Sequence, residues 1–480
     1  MTESAAASAA TDAPSAVSTL EHRHASWLEL FYDLVYVVAV AFLAAGLSQG
    51  ISLTGFAVFV GLFIPVWWSW AGQTIFASRF GRDTTFQRSL VLLQMVGAAA
   101  MAIQIPGATG AGSAGFAAAY VLTRSTLLVL YVRARGEYPE ARRLSNAFLA
   151  GYGLGAGLWL VSIAVPPPFR FVLWAVGLAV EVGTFVLARG VSRRFPVHTS
   201  HMPERFGLFT IIVLGETVLA IFLGVADVNW NPVAVMAALI GFGLAVAIWW
   251  NYFGYVDRAP LQCTLGNGHA YTLFHLPMVL GIIAMGVGIE HIVVEASRAD
   301  FSVSTLWLLG GGLGLWVGAF YGLQFVTYPP GEHRRLSTTY GLASLGILPA
   351  AFLGGSTNPI AVLVVLGLVM GALTYVEVQR RAAIPSRAYV TRADQRGRPE
   401  GGQVREYRGE GILIRYDPEV CVHAAECLRT LPDVFDLRNR PWVDAERAPL
   451  EEIIAAIKRC PTEALSFEIL REGSKTESEE

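Results

Sequence analysis

From Trp27 to about residue 379 the chain is a succession of about twelve apolar stretches, each near the ~20 residues a helix needs to cross the hydrocarbon of a bilayer. They fall near 27–48, 53–77, 89–106, 113–132, 144–165, 169–188, 206–226, 231–254, 271–294, 303–327, 336–354 and 358–379. Hydrocarbon offers the backbone no hydrogen-bond partner, so such stretches fold as helices packed on one another. The expected architecture is an all-α polytopic membrane bundle of about twelve helices. Composition excludes the soluble alternative. The 480 residues would allow about three soluble domains, but only 15% are charged, against roughly 25% in soluble proteins.

The loops orient the bundle. Those after even-numbered segments carry Arg79, Arg82 and Arg88; Arg133, Arg135, Arg142 and Arg143; Arg189, Arg193, Arg194 and Arg205; Arg258; Arg334 and Arg335; and finally Arg380 and Arg381. The opposite loops carry Arg170 and Arg298. By the positive-inside rule the arginine-rich side is cytoplasmic, with both termini on it. Residues 1–21 lack the basic start and apolar core of a secretory signal and read as a disordered arm. A faint internal repeat also shows. Trp67-Trp68 in VWWSWAG resembles Trp249-Trp250 in IWWNYFG, 182 residues later, and Met95 and Met278 are offset by 183. Six helices between copies would give a 6+6 parallel repeat about an axis along the membrane normal.

Charge divides the chain in two. Residues 409–480 hold nine Lys/Arg against sixteen Asp/Glu, a net of −7, so the remainder stands at +5 within a total of −2. Residues 22–380 form the membrane domain, 381–407 an Arg/Gly/Pro-rich cytoplasmic linker, 408–470 a small α+β domain and 471–480 an acidic tail. Within the small domain, 411–417 and 464–469 read as strands and 449–459 as a helix. A unit this size needs a staple such as a metal centre.

Ionisable groups inside membrane segments are functional candidates by default, because each costs about 2.5–3.5 kcal/mol on insertion scales. Glu29 and Asp33 are four apart on the first segment and share a helical face. Two carboxylates this close can bind a small cation or relay a proton; equally, Glu29 can sit at the headgroup boundary and Asp33 can be a packing residue. Glu216 follows Gly215, whose small size would let helices approach and turn Glu216 inward. The repeat places Asp33 and Glu216 in similar positions. Arg124 could neutralise either. Glu181, His275, Glu290 and His291 are further relay candidates, the last two near the outer surface; His275 reads equally as a satisfied interior histidine.

The runs RHASWLELFYDLVYVVAVAFL and ERFGLFTIIVLGETVLAI resemble the bacterial low temperature requirement A family, over about residues 22–380. The resemblance implies a polytopic inner-membrane protein and gives no mechanism. Phe31-Tyr32-Asp33 is also reminiscent of the FSD motif of lysosomal-type potassium channels, an analogy at the level of fold alone.

The tail reads C-V-H-A-A-E-C from Cys421 to Cys427, then thirty-two residues to Cys460-Pro461. Bacterial ferredoxin spacing is C-x2-C-x2-C with a remote C-P; here Ala424 stands at the second cysteine position. Three thiolates match a 3Fe–4S cluster, while a 4Fe–4S cluster needs a fourth ligand from His423, water or a partner. Zinc is the alternative metal, although the paired CxxC hooks of structural zinc are missing. Disulfides are not expected in a reducing cytoplasm, and Cys263 has no partner spacing. YDPEVCVHAAECLRTLPDVFDLRNRPWVD followed by RCPTEALSFE resembles the divergent 4Fe–4S mono-cluster ferredoxin domains. That resemblance implies Cys421, Cys427 and Cys460 as cluster ligands.

Two functional expectations follow. The first is a multipass inner-membrane protein carrying a cytoplasmic single-cluster domain for electron transfer or redox sensing, its acidity steering a basic redox partner. The second is a cation or proton-coupled transporter using the intramembrane carboxylates, with the cluster regulatory or structural. The chain lacks a Rossmann or P-loop glycine pattern and a nucleophile elbow, so a self-contained enzyme is the weaker expectation. The expected partners are the bilayer, a redox protein, and a small cation or proton, with no nucleic acid.

Overall fold

The computed structural model describes residues 25–82, 84–192, 197, 201–256, 267–296, 302–327, 358–383, 404–417, 426–436, 439, 441–460 and 464–470. Eleven helices among these are long and apolar enough to cross a membrane. They are α1 (Trp27–Ser48), α2 (Leu53–Phe80), α3 (Thr85–Gln104), α4 (Ser113–Glu137), α5 (Arg142–Ser162), α6 (Phe169–Leu187), α7 (His201–Asp227), α8 (Pro232–Val256), α9 (Asn267–Ala296), α10 (Val303–Thr327) and α11 (Pro359–Ala383). Each coincides with one expected segment. The remaining expected segment, 336–354, lies outside the described residues.

Several helices outrun their apolar stretches. α2 continues to Phe80, and α7 begins at His201 where hydropathy alone starts it at 206. The added turns contain Ser78, His201 and Arg205, polar groups that the bundle buries and pairs. A hydropathy window ends at such residues; the helix does not, because these polar groups find hydrogen-bond partners on neighbouring helices.

Small residues set the closest packing. α9 and α10 meet where a Cβ on Gly312 would fall 2.6 Å from the Met285 backbone nitrogen and 2.8 Å from the Gly281 oxygen. In lipid, where apolar burial drives little association, such backbone approach supplies the van der Waals contact that holds helices together.

The chain divides into two compact units, His24–Val378 and a second that includes Gln379–Glu480. In the second, strands β1 (Arg405–Gly409), β2 (Ile412–Tyr416) and β3 (Leu465–Ile469) form an antiparallel sheet in the order β1-β2-β3. β2 and β3 match the expected strands. β1 is a correction: it begins inside the segment read as linker. It is polar and mostly exposed, so it lacks the apolar alternation that marks a strand, and the hairpin turn at Gly411 (φ 74°) is what pairs it with β2. Helices α12 (Glu426–Thr430) and α13 (Leu450–Lys458) complete the unit. Ile412, Ile414, Phe435, Val443, Ile453 and Ile457 fill its core.

Candidate functional site

α1 starts with a capping box. The Ser26 hydroxyl accepts from the Glu29 backbone N–H at 3.3 Å, and the Glu29 carboxylate accepts from the Ser26 N–H at 2.8 Å. Glu29 therefore sits in the first helical turn, and its side chain has a second task. His201 of α7 places Nε2 3.2 Å from both Glu29 oxygens. One turn further along each helix, Arg205 Nη2 donates to Asp33 Oδ1 at 2.6 Å. Acids at i and i+4 on α1 thus meet bases at i and i+4 on α7, in the same order, so the two helices run parallel.

α2 runs antiparallel along this pair. Trp70 Nε1 donates to Asp33 Oδ1 at 2.7 Å, and Ser78 Oγ lies 2.9 Å from His201 Nδ1. Tyr36 links to Ser69 at 2.9 Å and to Tyr32 at 3.1 Å. Thr74 lies midway between Trp70 and Ser78 on one face of α2. Asp33, Thr74 and Arg205 are 0%, 0% and 1% exposed. Trp67, Trp70, Phe206 and Phe209 interlock beside the ion pair, with the Trp70 and Phe209 rings 4.4 Å apart. Asp33 is buried inside the bundle and shares a face of α1 with Glu29. Its partner was not legible from hydropathy; the available signal was H-x3-R opposite E-x3-D.

Arg124 is a correction. It pairs with neither Asp33 nor Glu216 but forms a 2.8 Å ion pair with Glu181 of α6, and its Nε donates to the Tyr120 hydroxyl. That hydroxyl donates in turn to Glu181 at 2.9 Å. Gly72 and Gly155 make room: a Cβ on Gly72 would fall 2.6 Å from Arg124 Nη1, and one on Gly155 2.5 Å from Glu181 Cγ.

Glu216 is also corrected. Gly215 is exposed and has open space around it, and Glu216 is only half-buried. On α7 the residue level with Asp33 is Arg205; Glu216 is eleven residues on, about 16 Å along the helix. The two acids therefore do not share a level. The repeated Trp pairs differ as well: Trp67 and Trp68 are buried at 1% and 2%, while Trp249 and Trp250 are 42% and 43% exposed.

His275 is satisfied at both ring nitrogens. A carbonyl can only accept, so Nδ1–H donates to the Tyr271 oxygen at 2.7 Å, and Nε2 then accepts from the Tyr252 hydroxyl at 2.8 Å. Glu290 is half-buried, and His291 bonds Ser48 of α1 at 2.9 Å.

In the small unit, Cys427 on α12 and Cys460 just beyond α13 are both half-buried and pack against the same core. The Cys460 N–H donates to the Ile457 carbonyl at 2.9 Å, fixing it at the helix end. Two thiols on one core suit a soft, thiolate-bound centre. Cys421, His423 and Cys263 lie outside the described residues, and among the described residues no three His, Cys, Asp or Glu side chains converge on a metal position.

The fold thus defines a multi-pass membrane protein joined to a small α+β domain. Residues 24–374 match the bacterial low temperature requirement A protein family, and the chain belongs to that family. Residues 407–468 match the divergent 4Fe-4S mono-cluster family. The chain is 31% identical to the uncharacterized protein RA0937 of Rhizobium meliloti (strain 1021), over 60% of this chain and 71% of that one. It is 29% identical to the uncharacterized protein YjdI of Escherichia coli (strain K12), over 14% of this chain and 87% of that one.

Proposed function

We propose that this membrane protein carries a redox module on the cytoplasmic face of the bacterial inner membrane, with Cys421, Cys427 and Cys460 as the thiolate ligands of one iron–sulfur cluster. The observation that carries the reading is the match of residues 407–468 to the divergent 4Fe-4S mono-cluster family, with Cys427 and Cys460 packed on one core inside it. When bound, such a cluster supplies one-electron exchange.

The chain's own residues set the conditions. Packing with Ile453, Ile457 and Leu465 ties α12 and α13 to one core, with Cys427 and Cys460 set against it. The surplus of Asp and Glu over residues 409–480 favours encounter with a basic partner. Arginine after the even-numbered apolar segments supports the cytoplasmic assignment.

The test is anaerobic purification of the full chain, with iron and acid-labile sulfide analysis and EPR before and after reduction. Iron and sulfide with a signal that changes on one-electron reduction are expected, as is their loss in Cys427→Ser and Cys460→Ser. Protein lacking iron, or loaded only with zinc, would overturn the reading.

A further inference from the structure

The carboxylates of α1 were candidates for either a cation or a proton. The geometry points to the proton: we propose that Glu29, His201, Thr74, Asp33 and Arg205, continued by Tyr32, Tyr36 and Ser69, form a proton relay within the membrane unit. This inference does not rest on the iron–sulfur reading.

Charge balance argues against a metal cation. Asp33 already faces the fixed charge of Arg205, so that rung carries no surplus negative charge to replace a cation's hydration shell, and the Glu29 carboxylate already accepts from the Ser26 N–H and hydroxyl and faces His201. What remains is capacity for hydrogen bonds. Asp33 Oδ2, Arg205 Nε and Nη1, and Thr74 Oγ1 are buried without a hydrogen-bond partner among the described residues. They comprise an acceptor, two donors and a hydroxyl that is both. Thr74 lies on the α2 face between the residue that bonds Asp33 and the residue that bonds His201. Groups of these kinds can hydrogen-bond to water, which takes two to four polar partners and passes protons.

His201 is built to hold either charge state. A carboxylate accepts, so Nε2 carries the proton that faces Glu29. At Nδ1 the Ser78 hydroxyl can donate to the neutral ring or accept from the imidazolium, so neither state strands a buried group. Among the described residues, the titratable and charged groups at these two rungs include Glu29, Tyr32 and Asp33 from α1 and Arg205 on the same helix as His201; α2 contributes Ser78. On the α9 side, Tyr271 and His275 pack against Phe206, and both nitrogens of His275 are occupied. Beyond Asp33, the Tyr32, Tyr36 and Ser69 hydroxyls form a bonded chain whose members both donate and accept. From Glu29 to Tyr36 the relay covers about 10 Å of the ~30 Å hydrocarbon.

The experiment uses the full chain in liposomes with a trapped pH-sensitive dye and an imposed membrane potential. Proton flux is expected with wild type, lost in His201→Phe and Asp33→Asn, and slowed in the near-isosteric Thr74→Val. It should persist in Tyr252→Phe, which lies outside the relay. Gel filtration and circular dichroism establish that each variant is folded. Absence of flux with folded wild type overturns the proposal, as does flux carried by Na+ or K+ in place of protons. So does undiminished proton flux in folded Asp33→Leu/Arg205→Met, which would make the ion pair purely structural.

Discussion

Arg205 and Asp33 lie 172 positions apart in sequence and 2.6 Å apart in space, and the same interval separates His201 from Glu29. Two contacts with one interval mean that α1 and α7 pack in parallel with fixed register. A slip of one residue along either helix would turn both bases away from both acids.

Breaking the Asp33–Arg205 pair should be far costlier than replacing it. Asp33→Leu alone leaves a buried guanidinium uncompensated and should destabilise by about 3–5 kcal/mol. Asp33→Leu with Arg205→Met should recover most of that. Heating the detergent-solubilised variants and following the monodisperse fraction gives the comparison; equal losses for single and double variants would contradict it.

Removing the cap should loosen the first turn of α1. Ser26→Ala eliminates the hydroxyl that accepts from the Glu29 N–H, at a cost of about 1 kcal/mol. Hydrogen exchange should rise in a peptide covering residues 26–33 and stay unchanged in α10.

His275 should prove structural. Tyr252→Phe deletes the hydroxyl bonded to Nε2 and leaves a buried acceptor unpaired, costing about 1–3 kcal/mol. A lower unfolding temperature with intact proton movement is the expected pattern; loss of movement in a folded variant would bring His275 into the relay.

Two glycines of α10 should respond in opposite directions. A Cβ at Gly312 strikes backbone atoms of α9 and should cost about 1–3 kcal/mol. One at Gly318 meets nothing within 4 Å, so Gly318→Ala should be neutral or stabilising through helix propensity, by up to about 1 kcal/mol. Parallel thermal melts decide this.

Much of the architecture was legible along the chain. Eleven of the expected segments are helices, because a run of apolar residues near bilayer thickness has no other way to satisfy its backbone in lipid. The strands around Leu413 and Phe467 were legible from their alternation. Asp33 was legible as an interior acid, since a charge in hydrocarbon must find a partner. The partner was not. Hydropathy cut α7 short of His201 and Arg205, and the internal repeat pointed to Glu216, which lies half-buried and higher on the same helix. It likewise matched buried Trp67 with exposed Trp249.

The sequence by itself determined the solvent: hydrophobic length fixes membrane-crossing helices, and cysteine spacing marks a separate iron–sulfur-type domain. Only the tertiary structure decided which charges meet. Helix-forming preference and burial are properties of a segment, read within a few turns. An ion pair depends on the rotation and register of two helices far apart in the chain, set by aromatic and small-residue packing over their whole length. Arg205 meeting Asp33, and Arg124 turning instead to Glu181, are outcomes of that packing.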